Sequence, residues 1–401
     1  MKHRIIIILA ACIFCLLAAC TPEDDIQPIT PSQNIAHITD STYYRADHMM
    51  VYNFVYPSTD PYGNNVMLSG TISLGDSISQ HRHAMGLMLY NHFTIYRADQ
   101  CPSRGELSMQ KVMARSPLIT ISADYYGFGI TEDKPQAYCI SNVNAKSSID
   151  ALIAARKLLS AIGYSWDDHL FNAGYSQGGQ TTMGVVRLVA ESHPDIHFDC
   201  SYAGAGSYDI PATYSQFLQD TIAGMPSTVI SVLLAYNEYF RLNIPRSDIF
   251  IEPVLSHIDD WILSKRYTRE QIDSLIGSLY VADYVTPTML DLQSNLSQRF
   301  ISAMQTDNLC SGWSPRIDEP IYLFHNTRDI TVPVVNTLNL HRFLSSQRVA
   351  NLTLDVADYG TSDAIPAHEM GAIYFMMHTT QSIADILKIE PWSFSNHSVI
   401  P

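Results

Sequence analysis

The sequence predicts an α/β fold in which a mostly parallel sheet is flanked by helices. Short continuous apolar runs, which are typical of strands buried on both faces, alternate with segments of helical periodicity. This alternation implies right-handed βαβ units. The composition agrees, because 46% hydrophobic and 16% charged residues in a chain of 401 allow a large buried core.

The strands are predicted from apolar runs bounded by turn residues. The first two runs are separated by Pro57 and the turn at 60–63, which favours an antiparallel pair. The later runs are short and rich in branched residues, as expected for parallel strands. The predicted strands are 48–56, 66–74, 84–90, 118–122, 169–173, 200–205, 321–325 and 352–357.

Helices are predicted where apolar residues recur at helical spacing. The first spans 145–162 and ends before Gly163, a second occupies 180–191, and the last begins at about Glu369. They follow strands in the order that a parallel sheet requires.

A long insertion interrupts the alternation. Residues 208–318 separate two predicted core strands, and their segments 225–243 and 268–284 favour helices. Insertions of this length are usually functional. We therefore expect a core of residues 41–207 and 319–401, and a helical cap of residues 208–318 over the carboxyl edge of the sheet, where open α/β sheets bind ligands.

The first residues have the pattern of an export signal. Lys2 and Arg4 precede an apolar run of residues 5–19, which is too short to span a bilayer. Residues 17–20 read Leu-Ala-Ala-Cys and resemble a bacterial lipobox. The sequence therefore predicts a signal peptide over 1–19, a lipid anchor at Cys20, a flexible tether over 20–40 and a place in the bacterial cell envelope, periplasmic or surface-exposed. The alternative is an ordinary secretory signal.

The charge and cysteine content exclude some partners. A formal net charge of −15 without a Lys/Arg-rich run is unsuited to nucleic acid. The cysteine spacings do not match a metal site. We expect disulfides Cys101–Cys139, on loops at the carboxyl edge, and Cys200–Cys310, preceding neighbouring strands, with four unpaired thiols as the alternative.

The motif Gly-Tyr-Ser-Gln-Gly-Gly at 174–179 lies between a predicted strand and a predicted helix. This is the context of a nucleophile elbow, in which the flanking Gly174 and Gly178 must be small and Ser176 is lifted above the sheet. The helix amino terminus places the Gln177 amide where an oxyanion develops. The motif therefore predicts an α/β-hydrolase fold with Ser176 as the nucleophile.

A serine nucleophile needs a base and a group that orients the base. In this fold the acid and then the histidine follow the serine along the chain. Asp329 follows the apolar run at 321–325, and His368 precedes the last predicted helix after the last core strand, so we expect Asp329 and His368 in these roles. The competing candidates are His325, His378, His397, Asp318, Asp355 and Asp358.

These motifs resemble those of the secretory lipase family of α/β-hydrolases and related bacterial esterases. The matching segments are 90–94, 124–129, 174–179, 203–209 and 329–333, together with His368. The resemblance implies a Ser176–Asp329–His368 triad, an ester substrate and a helical cap.

The chain departs from the family at the second oxyanion donor. The family pattern is His-Gly-Thr, whereas this sequence has Phe93 in place of the glycine. We expect Thr94 N–H as that donor beside Gln177 N–H, with Phe93 N–H as the alternative. Phe93, Tyr125 and Tyr175 are candidate substrate-binding residues, and Tyr125 has bracing of the oxyanion loop as its alternative role.

The sequence thus predicts a serine carboxylester hydrolase, an esterase or lipase, that acts through an acyl-enzyme without a metal or organic cofactor. Its expected partners are an ester substrate and, through the lipid anchor only, a membrane. One alternative is a serine exopeptidase of the same fold, which requires an acidic clamp for a peptide amino terminus. The other is a non-catalytic surface-binding lipoprotein.

Overall fold

A computed structural model describes residues 35–105, 112 and 115–392. The predicted signal peptide, Cys20 and most of the predicted tether lie outside these residues. Within them the strands are β1 His37–Tyr44, β2 Met49–Thr59, β3 Asn65–Gly75, β4 His83–Ala84, β5 Gly86–Asn91, β6 Leu118–Ala123, β7 Ser165–Trp166, β8 Leu170–Tyr175, β9 Cys200–Gly204, β10 Ile321–Asn326 and β11 Leu352–Ala357.

The main sheet of the described chain has the order β1-β2-β3-β6-β5-β8-β9-β10-β11. Strands β1, β2, β3 and β6 pair antiparallel, and all pairs from β6 to β11 are parallel. Strands β5, β6, β8 and β9 are buried at every position, which explains their continuous apolar character. The predicted α/β-hydrolase architecture is confirmed.

Helices lie on both faces of this sheet. The helices of the described residues are α1 Asp76–His81, α2 Ser141–Ala161, α3 Gln177–Ser192, α4 Ile210–Asp220, α5 Pro226–Tyr239, α6 Arg246–Ile249, α7 Val254–Ile258, α8 Arg269–Ile276, α9 Pro287–Leu290, α10 Asn295–Thr306, α11 Val335–Ser346 and α12 Ala367–Leu387. In β9, Tyr202 packs with Phe375 of α12, whereas its neighbour Ala203 packs with Met183 of α3. Successive side chains of a strand point to opposite faces, so α12 and α3 cover opposite sides.

The structure differs from the sequence expectation at β1, which was not predicted. This edge strand is polar and mostly exposed, so it lacks the alternation that marks a half-buried strand. It begins at His37, and residues 37–40 therefore belong to the sheet and not to the tether.

The helix expected over 268–284 is shorter than predicted. Helix α8 begins after a capping box formed by Thr268 and Gln271 and ends at Gly277, whose φ of 72° is left-handed. A 3₁₀ turn at Val281–Asp283 follows. Helices α4 to α10 all lie between β9 and β10, in the stretch expected to form the cap.

The expected disulfides are wrong, because Cys101, Cys139, Cys200 and Cys310 are all free thiols. Cys200 packs in the same cluster as Tyr202, whereas Cys310 packs in the cluster of Ala203 on the other face of the sheet. Cys101 and Cys139 are likewise buried in separate apolar clusters. Adjacent loops and strand starts therefore did not bring the sulfur atoms together.

Candidate active site

Ser176 stands in a sharp turn between the last residue of β8 and the first residue of α3. Its backbone has φ 58° and ψ −124°, a strained conformation for any residue with a side chain. Its N–H donates to Gly204 O at 2.9 Å, which ties the turn to β9. A Cβ added at Gly178 would lie 2.1 Å from Asn91 O, and one at Gly174 would lie 2.3 Å from Gly178 O. The glycines of the motif are therefore required by close backbone contacts.

The strained turn leads to a prediction about stability. Ser176→Gly is expected to be about 1 kcal/mol more stable towards unfolding than Ser176→Ala. Glycine adopts this φ freely, and the backbone strain that it relieves exceeds the cost of its larger conformational entropy in the unfolded chain. Both variants lack the hydroxyl group, so they differ only by the Cβ methyl group. Urea unfolding of the two proteins measures the difference, and a less stable glycine variant would contradict the strain argument.

Ser176, His368 and Asp329 form one hydrogen-bonded line. His368 Nε2 lies 2.9 Å from Ser176 Oγ, and His368 Nδ1 lies 2.5 Å from Asp329 Oδ2. All three residues are buried. Contacts of this kind orient an imidazole and place its second nitrogen to accept the serine proton. The three residues selected from the sequence are thus brought together.

Asp329 is held by the turn that follows β10. Its Oδ1 accepts hydrogen bonds from the backbone N–H groups of Thr331 at 2.8 Å and Val332 at 2.9 Å. Burial opposes ionisation, but the charge and hydrogen bond of His368, the charge of His325 and the hydrogen bond from Val332 N–H outweigh it, so the pKa of Asp329 is lowered. The carboxylate therefore stays charged beside the imidazole.

The position of His368 depends on two residues that contact the backbone around it. Tyr175 OH donates to His368 O at 2.8 Å. Asn326, the last residue of β10, donates through Nδ2 to Ala367 O at 2.8 Å and to Gly360 O at 2.9 Å. Asn326 thus links the strand that precedes Asp329 to the loop that leads to His368. Sequence analysis missed this role, although Asn326 lies between the apolar run at 321–325 and Asp329.

The pKa of His368 is set by opposing influences. Burial lowers it, but Asp329, by charge and hydrogen bonding, outweighs burial, and the pKa is raised above its ordinary value. Glu369 raises it further by its charge, and Arg269 of α8 lowers it. Arg269 Nη2 lies 3.4 Å from Glu369 Oε1, so these two influences come from one ion pair between the α8 and α12 helices.

This ion pair leads to a prediction about pH. If neutral His368 is the base, kcat/KM rises with pH as His368 loses its proton. Glu369→Gln removes a charge that raises the pKa of His368, so the midpoint of the rise is expected at lower pH than in the wild type. Arg269→Met removes a charge that lowers this pKa, so its midpoint is expected at higher pH. Shifts of both variants in the same direction would contradict this account of the electrostatics.

The competing candidates for the base and the acid have partners other than Ser176 and His368. His325 is fully buried behind the acid, with Nδ1 2.7 Å from Thr337 Oγ1, Nε2 2.8 Å from Val332 O and the same nitrogen 3.6 Å from Asp329 Oδ2. Burial lowers the pKa of His325, which keeps it neutral beside Asp329. Partners outside the Ser–His–Asp line are found for His378, Asp355 and Asp358, and for the backbone O of Asp318. His397 lies outside the described residues.

The two expected oxyanion donors lie in the elbow and in the loop after β5. The N–H of Gln177 opens α3 and has no acceptor within the helix, as for any first-turn amide. Thr94 lies beside Ser176 in the walls of two cavities, and its Oγ1 is 2.9 Å from Tyr138 OH. His92 supports the loop, since its ring stacks on Tyr125 at a centroid distance of 4.0 Å.

Tyr125 contacts the loop after β5. Its side chain is buried, its OH donates to His92 O at 3.3 Å, and in the described chain it lines neither of the two cavities that reach Ser176. These contacts agree with the alternative role of Tyr125, which is bracing of the loop. Phe93 and Tyr175 do line one of these cavities.

Two cavities meet at Ser176. The first, of about 590 Å³ including open solvent, runs under the cap and is mostly apolar, with walls that include Ile210, Phe217, Val229 and Leu233. The second, of about 730 Å³ on the same measure, is lined by His368 and by charged side chains that include Arg269. Within the described chain, no group of three or more His, Cys, Asp or Glu side chains is arranged to hold a metal ion.

The sheet order, the elbow and the hydrogen-bonded serine, histidine and aspartate define the class of protein as an α/β-hydrolase. A family model described as "Secretory lipase" matches residues 108–383. The chain therefore belongs to the secretory lipase family and is a hydrolase of the carboxylesterase and lipase class. No match was found among curated proteins.

Solved structures share the fold at low sequence identity. The rice cell wall degrading esterase LipA from Xanthomonas oryzae is 19% identical, with a TM-score of 0.71 over 89% of this chain and 98% of that chain. A putative hydrolase from Legionella pneumophila is 20% identical, with a TM-score of 0.73 over 85% and 88%. Candida antarctica lipase A is 14% identical, with a TM-score of 0.62 over 88% and 81%.

Proposed function

We propose that this chain hydrolyses carboxylic esters through a covalent acyl-enzyme on Ser176, with His368 as the base and Asp329 as the group that orients it. The observation that supports this most directly is the hydrogen-bonded line from Asp329 Oδ2 through His368 to Ser176 Oγ. The line ends at a strained elbow, where the serine stands between two substrate-sized cavities. A purely binding protein has no need of these three groups in one line.

The mechanism follows from this geometry. Neutral His368 accepts the Ser176 proton through Nε2 as Oγ attacks the ester carbonyl, while charged Asp329 holds the other imidazole nitrogen and stabilises the imidazolium. The N–H groups of Gln177 and Thr94 stabilise the oxyanion, each contributing about 3 kcal/mol to lowering the barrier. His368 then protonates the leaving alcohol, and a water molecule activated by the same imidazole cleaves the acyl-enzyme.

The two cavities have different roles in this proposal. Because His368 must reach the leaving oxygen, we assign the leaving alcohol to the second cavity, which His368 lines. The acyl chain then occupies the apolar first cavity under the cap. The walls of the first cavity, as far as the structure describes them, contain no charged side chain. An exopeptidase needs an acidic clamp for the peptide amino terminus on the acyl side, so this cavity favours the esterase.

A panel of p-nitrophenyl esters from acetyl to palmitoyl tests the proposal on the chain from Thr21 onward. We expect hydrolysis of several members, with a preference set by the length of the apolar cavity. A fluorophosphonate probe should attach to Ser176, as located by peptide mass spectrometry, and should abolish this activity. Hydrolysis of aminoacyl p-nitroanilides without hydrolysis of any ester would replace the proposal by the exopeptidase.

We further propose that the protein is a lipoprotein of the bacterial cell envelope, anchored through Cys20. The support is the lipobox-like sequence at 17–20, after a basic start and a short apolar run. The helices of the described residues include none with the length and hydropathy of a membrane span. Growth with an alkyne-tagged palmitate should label the wild-type chain and leave Cys20→Ala unlabelled, whereas labelling of both would exclude this anchor.

A further inference from the structure

We propose that the side-chain hydroxyl group of Thr94 donates a hydrogen bond to the oxyanion in addition to the Thr94 N–H, and that Tyr138 is the positioning residue that orients this hydroxyl group. The inference rests on the proposed ester hydrolysis and adds a side-chain donor to its oxyanion site. It comes from the place of Thr94 beside Ser176 and from the hydrogen bond between Thr94 Oγ1 and Tyr138 OH.

Thr94 lies where the two cavities meet. Among the described residues, those common to the walls of both cavities are Thr94, Ser176 and Met225. The loop that carries Thr94 packs on the elbow, since a Cβ added at Gly178 would lie 2.9 Å from His92 O. The half-buried Thr94 therefore borders the space in which an ester carbonyl attacked by Ser176 would become an oxyanion.

Tyr138 fixes the direction of the Thr94 hydroxyl group. Tyr138 OH lies 2.9 Å from Thr94 Oγ1, and burial raises the pKa of Tyr138 well above its ordinary value, so the phenol keeps its proton. A threonine hydroxyl has one hydrogen to donate and can accept at its oxygen. When Tyr138 donates to Oγ1, the hydrogen of the Thr94 hydroxyl group is left free to be donated into the cavity.

The thiol of Cys139 supports this direction of donation. Cys139 is buried, lines the first cavity and hydrogen-bonds to Tyr138. Burial raises the pKa of the Cys139 thiol to about 12, so the thiol keeps its hydrogen and can donate it to the phenol oxygen. Tyr138 then has its own hydrogen for Thr94. In such a chain each hydrogen bond polarises the next, which makes the Thr94 hydroxyl group a stronger donor.

The surroundings of Thr94 make a side-chain donor effective. Phe93 precedes it, and a phenylalanine restricts the backbone that presents the Thr94 N–H more than a glycine would. The hydroxyl hydrogen rotates about the Cβ–Oγ1 bond, so it can align with the oxyanion without movement of the backbone. The first cavity is mostly apolar, and a hydrogen bond to a developing charge is strongest where water is excluded.

Two substitutions of Thr94 separate the hydroxyl group from the shape of the side chain. Thr94→Val keeps the branched shape and the N–H but lacks the hydroxyl group, whereas Thr94→Ser keeps it. With p-nitrophenyl butyrate, Thr94→Val is expected to lower kcat by about 100-fold with little change in KM, as for the loss of one oxyanion donor. Thr94→Ser should keep kcat within about fivefold of the wild type.

An inhibitor gives an independent readout of the same donor. An alkyl trifluoromethyl ketone adds to a serine nucleophile and leaves a negatively charged oxygen where the oxyanion forms. Its inhibition constant should be weakened by about 100-fold in Thr94→Val and little changed in Thr94→Ser, because a transition-state analogue loses the interactions that the transition state loses.

A double-mutant cycle tests the role of Tyr138. Tyr138→Phe removes the phenol hydroxyl group and keeps the ring. It is expected to lower kcat by about tenfold in the wild-type background and to have no further effect in Thr94→Val, because it acts only through the Thr94 hydroxyl group. A general structural role of Tyr138 would instead lower kcat equally in both backgrounds.

Tyr96→Phe is the matched control for Tyr138→Phe. Tyr96 is also buried, its ring centroid lies 6.1 Å from that of Tyr138, and its OH donates to Ser231 Oγ at 2.9 Å. Among the described residues it lines neither of the cavities that reach Ser176. The loss of this hydroxyl group should therefore keep kcat within about twofold of the wild type.

The inference is overturned if Thr94→Val loses less than about fivefold in kcat, if Thr94→Ser loses as much as Thr94→Val, or if Tyr138→Phe lowers kcat equally in both backgrounds. Circular dichroism checks the folding of each variant, and Thr94→Ala takes the place of Thr94→Val if the latter does not fold. Each of these results leaves ester hydrolysis by the wild type intact. If the folded wild type cleaves no p-nitrophenyl ester, the proposed function fails, and this inference fails with it.

Discussion

Ser176→Ala is expected to lower kcat for ester hydrolysis by about 10⁶-fold, which leaves only the hydrolysis that the oxyanion donors and substrate binding sustain. The loss is this large because, in the proposed mechanism, Ser176 Oγ is the atom that becomes acylated. Without it, His368 has no serine nucleophile to deprotonate. The variant should fold normally, since alanine keeps the Cβ and removes one oxygen from a buried turn. A steady-state assay with p-nitrophenyl butyrate, beside far-UV circular dichroism, measures both quantities.

Ser192→Ala is the matched control for this experiment. Ser192 is exposed at the far end of α3, so the same chemical change there should leave kcat unchanged. Residual activity of Ser176→Ala within a hundredfold of the wild type would place the nucleophile elsewhere.

Asp329→Asn is expected to lower kcat by about 10⁴-fold while the shape of the site is preserved. An amide can accept the backbone N–H groups of Thr331 and Val332 through its oxygen, and this leaves its NH₂ group facing His368 Nδ1. The imidazole then takes the tautomer with the proton on Nε2, which cannot accept the proton of Ser176. The loss should appear in kcat more than in KM, because the substrate cavities are unchanged.

The control for the acid is Asp358→Asn. Asp358 lies on the loop after β11 and is exposed, where it pairs with Arg328 at 2.7 Å. Its replacement should leave kcat within about twofold of the wild-type value. Exposed ion pairs contribute little to stability, so the site should keep its structure. Equal losses in the two variants would show that Asp329 has no special relation to His368.

The parts of the site that the sequence predicted are those in which local backbone constraints and chain order coincide. Gly174 and Gly178 mark the elbow because a Cβ at either position would collide with backbone. Asp329 and His368 were selected because they follow the predicted strands at 321–325 and 352–357, and parallel strands end at the same edge of the sheet. The fully buried strands β5, β6 and β8 are mostly apolar, so they were found with small errors at their ends.

Features that depend on distant partners were not predictable in this way. Glu369 and Arg269 are 100 residues apart, and each on its own is an ordinary charged residue on a helix. The expected pairing of Cys200 with Cys310 failed because neighbouring strands do not determine the face to which a loop residue turns. Strand β1 was missed because its polar edge position leaves no apolar pattern to recognise.

The position of the cap within the chain has a consequence for the timing of activity during synthesis. Ser176 and its elbow come before helices α4 to α10, whereas Asp329 and His368 come after them. A ribosome therefore completes the proposed nucleophile roughly 190 residues before the proposed base, and strand β10 can join β9 only when the whole cap has emerged. A nascent chain should thus be inert towards esters, and the onset of turnover in a synthesis reaction should mark the docking of α12 rather than the formation of the elbow.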